Sequence, residues 1–92
     1  MASQGKRSQN ETKFDSWIEL PSGGRQYRLE VKGRRGWRAV YFKLVDESEI
    51  TLRFWQEVVN PEGEVVEIHE KYPRDLGHKQ LPKKDQEHDH QA

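Results

Sequence analysis

No cysteine occurs in the 92-residue chain. Disulfides, thiol catalysis and thiolate-based zinc sites are thereby excluded. No apolar run approaches the roughly 20 residues of a membrane-spanning helix. The opening Met1-Ala-Ser-Gln-Gly-Lys-Arg7 has no apolar stretch of the kind a secretory signal carries. The expectation is a soluble, cytoplasmic protein. Phosphate-cradling glycine loops and nucleophile elbows are absent too, so small-molecule catalysis finds no support and no cofactor is expected.

Apolar residues are few, and their placement is informative. All but Met1, Ala2 and Ala92 lie between Phe14 and Leu81. One short block can form a core, so a single domain is expected over 14–81, with disordered tails at 1–13 and 82–92. A block of this size hides only roughly 60% of its unfolded surface. A partner or a second copy, as in a homodimer, would add stability.

Net charge is zero, yet the halves differ. Residues 1–45 carry ten Lys/Arg against four Asp/Glu, and residues 46–92 carry six against twelve. The basic half either packs beside the acidic half, within one chain or across a dimer, or offers a face to a polyanion.

What remains reads as strands. Leu52 to Pro73 describes a hairpin: β-branched and aromatic residues fill two arms around Asn60-Pro61-Glu62-Gly63, where Pro61 and Gly63 suit the turn angles. Earlier strands are expected at Phe14–Leu20, Gln26–Lys32 and Trp37–Val45, separated by Pro21-Ser-Gly-Gly24 and Gly33-Arg-Arg-Gly36. The last two strands are Ile50 to about Val59 and Glu64–Tyr72. A helix from Ser48 to Val59 is the rival, because Ile50, Phe54 and Val58 share a helical face. The strand is preferred because Ile50, Leu52 and Phe54 alternate. The fold class is therefore all-β: an antiparallel meander of about five strands, curled into a half-barrel or dimerised face to face, since an apolar sheet face must be covered.

The expected core is Ile18, Leu20, Leu29, Val31, Val40, Phe42, Leu44, Ile50, Leu52, Phe54, Val66 and Ile68. Alternation places Trp17, Trp37, Tyr41, Arg53 and Trp55 on the opposite face. The hairpin register decides their neighbours. Pairing Val59 with Val65 sets Trp55 against His69, pairing Asn60 with Gly63 sets Arg53 against Glu70, and a bulge at Gly63 allows either.

Two stretches could carry chemistry. The first interleaves cations and rings: Arg25, Arg28, Lys32, Arg34, Arg35, Arg38 and Lys43 with Tyr27, Trp37, Tyr41 and Phe42. Cations neutralise phosphates, and rings and guanidinium planes stack unpaired bases. Arg28, Arg34, Arg35, Trp37, Arg38, Tyr41, Arg53 and Trp55 form the candidate surface for single-stranded RNA. The bland alternative is a solvated, charged turn. The second stretch runs from His69 to Lys79. His69 and His78 could serve as acid and base in metal-independent RNA cleavage, with Lys71, Arg74 or Lys79 on the phosphate. A structural role is the simpler reading of the same residues. Glu67, His69, Asp75 and His78 include possible metal ligands, but their spacing matches no zinc motif, and no metal site is expected. His88-Asp-His90 could bind a transition metal adventitiously.

The strand, Asn60-Pro-Glu-Gly63, the second strand, Tyr72-Pro73 and His78 together resemble small prokaryotic β proteins, some of which look like TumE-type toxins of toxin–antitoxin pairs. The shared elements are a glycine turn, an aromatic-rich hairpin and a terminal Pro-His element. Here His78 lies five residues beyond Pro73, and the Arg-Tyr-Asp run of that family is missing. The resemblance covers about a third of the chain and implies a prokaryotic accessory protein acting on RNA or on a cognate partner. The leading expectation is a small RNA-binding module. The alternatives are a protein-interaction or self-associating module and a metal-independent ribonuclease.

Overall fold

The computed structural model describes residues 4–82. A helix, α1 (Gln4–Lys13), precedes six strands: β1 (Ser16–Glu19), β2 (Arg25–Lys32), β3 (Arg38–Val45), β4 (Thr51–Val59), β5 (Val65–Tyr72) and β6 (Gly77–Gln80). They form one antiparallel sheet in sequence order, with β1 and β6 at its edges. This is the expected all-β meander, left open rather than closed. Residues 48–59 do not form a helix; β4 is bonded on both sides, to β3 and β5. Among the described residues no helix is long and apolar enough to cross a membrane.

Two elements depart from expectation. The segment 1–13, expected to be disordered, is helical over Gln4–Lys13. Its sequence contains no apolar residue, so no amphipathic stripe announces it, and ten residues form only a marginal helix alone. Tertiary polar contacts hold it instead. Asn10 is buried, and Glu11 accepts a 2.6 Å bond from Arg25 Nη1 on β2. Phe14, just past the helix, fits under it against Tyr27, with ring centroids 5.5 Å apart. The other departure is β6. Gly-His-Lys-Gln has neither alternation nor β-branched residues, and it becomes a strand by pairing with Glu67–Glu70 of β5. Of the expected C-terminal tail, residues 83–92 lie outside the described residues.

Register decides the faces. Leu29 opposes Tyr41, and Arg28 opposes Phe42. The apolar row of β2 therefore shares a face with Tyr41 and not with Val40, Phe42 and Leu44. One face, covered at one end by α1, carries Tyr27, Leu29, Tyr41, Val45 and Phe54, with Phe14, Tyr27 and Val45 buried together. The other carries Val40, Phe42, Trp55 and Val59, with Phe42 and Trp55 stacked at 5.0 Å.

The expected single core is thus divided. Of its members only Val40 is buried, and Ile18, Val31, Ile50 and Leu52 are exposed. Leu52 leaves the row because of a bulge: Leu44 pairs with Arg53 but Val45 with Thr51. In the hairpin, Val59 pairs with Val65, yet Gln56 and not Trp55 meets His69. The ladder is bulged between Val58 and Val59 and again between Phe54 and Trp55, not at Gly63, and the first of these brings Trp55 opposite Glu70. Arg53 still reaches Glu70, donating a 3.0 Å bond from Nε and a second from Nη2.

Candidate functional site

The eight residues proposed from sequence for RNA do not share a surface. Arg28, Arg38, Arg53 and Trp55 lie on the open face. Arg28 and Arg38 pair with Glu30 at 3.1 and 3.8 Å. Glu70 holds Arg53 and raises its pKa, and the guanidinium lies 3.9 Å from the Trp55 ring centre. Trp55 is buried and donates its indole N–H to Glu57 at 3.1 Å. Arg34 and Arg35 sit in a single 3-10 turn at the end of the β2–β3 hairpin, and no ion pair joins them to a carboxylate among the described residues. Arg35 takes a left-handed conformation there (φ 56°). Trp37 follows the turn and lines a groove of about 660 Å³ with Glu62 and Glu67, where carboxylates would repel phosphate. Tyr41 lies on the covered face, stacked on Phe54 at 6.3 Å.

The combination of cation and ring sought in the sequence occurs elsewhere. A groove of about 560 Å³ runs between α1 and β4 on the covered face, where Lys6, Lys13 and Lys43 meet Phe14, Phe54 and Tyr72 and one carboxylate, Glu49. Lys71 extends it, with its ammonium 5.2 Å from the Tyr41 ring and 5.8 Å from Phe54. No carboxylate forms an ion pair with Lys13, Lys43 or Lys71 among the described residues. Desolvation depresses the Lys43 pKa, and repulsion from Lys13 and Lys6 depresses it further against the attraction of Glu49. The groove thus gathers positive charge. Of these residues Lys43, Tyr41 and Lys71 are among the sequence candidates. The share contributed by α1 was hidden because that segment shows no periodicity.

Glu49, unmarked by any sequence signal, supports the groove. It is 3% exposed and held at φ 66°, an angle that costs a non-glycine residue roughly 1 kcal/mol. Its carboxylate accepts bonds from Tyr27 Oη (2.6 Å), Asn10 Nδ2 (2.9 Å) and Arg7 Nε (3.2 Å). Burial pushes its pKa up, but these donors outweigh burial and hold it below the usual carboxylate value. Asn10 turns its amide oxygen to Lys43 at 3.0 Å. One side chain therefore anchors the helix and orients the lysine.

The second candidate site is at the other edge. Pairing of β5 with β6 sets His69 against His78. His69 Nδ1 and His78 Nε2 are 3.1 Å apart. Each outer nitrogen meets a carboxylate: His69 Nε2 meets Asp75 Oδ1 at 2.6 Å, and His78 Nδ1 meets Glu67 Oε2. The His69 contact, with the Gly77 N–H, depresses the Asp75 pKa. The sequence had named these four residues, but their order in space depends on β6. Both histidines point their inner nitrogens at each other. Acid–base work on a phosphate requires the two rings to part so that one stands on each side of the reacting atom.

Cross-strand neighbours connect the two regions. Tyr41, Gln56, His69 and His78 form one row across β3, β4, β5 and β6 on the covered face. No family model matches the chain, and neither the curated proteins nor the solved structures give a significant match.

Proposed function

We propose that the protein is a small module that binds single-stranded nucleic acid, RNA in the leading case, along its helix-covered sheet face. The observation that carries this reading is the groove that sets Lys13 and Lys43 beside Phe54 and Tyr72, with the Lys71 ammonium at its margin near Phe54; no ion pair joins these three lysines to a carboxylate among the described residues, and the groove's own carboxylate, Glu49, is bonded to Tyr27, Asn10 and Arg7. Ammonium groups neutralise phosphates, and ring faces stack bases whatever their sequence. Arg34 and Arg35 lie about 25 Å away along β3. They are a second phosphate contact for a strand long enough to reach them.

The test is fluorescence anisotropy of a labelled 12-nucleotide RNA titrated at several salt concentrations. Replacing Lys13, Lys43 and Lys71 together by Gln should flatten the slope of log K against log salt by about 2, at roughly 0.7 per phosphate contact. Arg34→Ala with Arg35→Ala should flatten it by less. Unchanged affinity in the triple-lysine variant removes the reading, and loss confined to the arginine variant moves the site to the turn.

A second reading is self-association or capture of a protein partner. It draws on the open face, where Ile18 is exposed and Phe42 and Leu44 are only half-buried. A dimer in light scattering whose mass ignores added RNA would support it.

A further inference from the structure

We propose that His69 and His78 form a two-histidine clip for a divalent transition-metal ion of the zinc, nickel or copper type. The geometry is the argument. Ligands bonded at about 2.0–2.1 Å to one ion, with angles between right-angled and tetrahedral, have nitrogens about 2.9–3.4 Å apart. His69 Nδ1 and His78 Nε2 are 3.1 Å apart and face one another. An ion at the midpoint, displaced outward, meets both lone pairs.

The outer partners strengthen the case. Metal-bound histidines commonly give their other ring N–H to a carboxylate, which fixes the tautomer and makes the ligand nitrogen more basic. Both rings here have that partner, Asp75 for His69 and Glu67 for His78. Asp75 is itself held by the Gly77 N–H at 2.9 Å. The two rings stand on paired strands, so the backbone fixes their separation before any ion arrives. Imidazole selects zinc, nickel and copper over calcium or magnesium.

Among the described residues no group of three or more His, Cys, Asp or Glu side chains is arranged to hold a metal. The remaining coordination positions therefore fall to water or to an incoming donor. This inference is independent of the nucleic-acid reading.

The experiment is a titration of the full chain with Zn²⁺ alone, followed by isothermal calorimetry and by imidazole ¹⁵N chemical shifts. His69 and His78 should shift together and saturate near one equivalent. His78→Gln should weaken binding at least tenfold; His78 is exposed, so the fold should survive, which amide spectra check. Glu67→Gln and Asp75→Asn should each weaken it by about tenfold to a hundredfold. His88 and His90, outside the described residues, are the competing ligands, and His88→Ala with His90→Ala should leave affinity within twofold. Affinity that survives His78→Gln, or that disappears with His88 and His90, overturns the proposal, as does the absence of any Zn²⁺ binding.

Discussion

Two networks in this molecule use the same ingredients and differ in burial. At one end of the covered face, Glu49 is almost fully enclosed and gathers Tyr27, Asn10 and Arg7. At the far edge, half-buried Glu67 and exposed Asp75 hold exposed His78 and half-buried His69. A buried carboxylate must keep all its donors, because any lost partner leaves a desolvated charge or polar group. An exposed one exchanges its partner for water at little cost. The first network is therefore structural, holding a helix that has no apolar face. The second is free to change partners, as a ligand site requires.

The contrast breaks most directly at Glu49. Glu49→Ala should cost about 3 kcal/mol or more in urea unfolding, because Arg7, Asn10 and the Tyr27 hydroxyl lose their common acceptor. A loss below about 1 kcal/mol would erase the distinction between the two networks.

A crowded backbone at the same end gives the next effect. A Cβ on Gly24 would lie 2.2 Å from the Val45 carbonyl oxygen, whereas one on Gly63 meets nothing within 4 Å. Gly24→Ala should cost about 2 kcal/mol or more. Gly63→Ala should cost about 1 kcal/mol, from its positive φ alone. Equal losses in thermal unfolding would mean that the β1–β2 turn yields.

The pH dependence sharpens the comparison. The folded Glu49 pKa lies below its unfolded value of about 4.3. Its stabilisation is complete above that unfolded value and is lost as pH falls through the lower, folded one. Acid unfolding followed by tryptophan fluorescence should show a steep limb below about pH 4 that flattens in Glu49→Gln. A limb unchanged in that variant would assign acid sensitivity to other carboxylates, with Glu70 beside Arg53 first among them.

The smallest effect belongs to the edge. His78→Ala should change stability by no more than about 1 kcal/mol. A larger loss, measured by the same urea transitions, would make the histidine pair part of the scaffold.

Much of the fold was legible. Alternation in Tyr27, Leu29 and Val31, and the turns at Pro21–Gly24 and Asn60–Gly63, located β2 to β5 within about two residues, the usual uncertainty of element ends. Strand faces were not legible. Period-2 alternation says which residues of one strand share a side. It does not say which side of the neighbouring strand they join. So Trp55 was grouped with Tyr41, although the register places it beside Phe42. The candidate sites divided along the same line. The chemistry of His69, Asp75, His78 and Glu67 could be named from their side chains, but their contact needed the polar strand β6. The lysine groove needed a helix whose sequence reads as a solvated tail.

By itself, the amino-acid sequence determined the class of this protein: a single cysteine-free β meander of tight hairpins, with cations crowded into its first half. Those properties are local, set by backbone preference and by the pairing of each strand with its neighbour in sequence. Tertiary structure alone decided which faces met, that α1 folds onto Tyr27 and Glu49, and that two histidines from different strands point at one another. Bulges at Leu44/Val45, Phe54/Trp55 and Val58/Val59 set which faces of β3, β4 and β5 meet. A one-residue offset costs the local pattern almost nothing, yet it moves every later side chain to the other face.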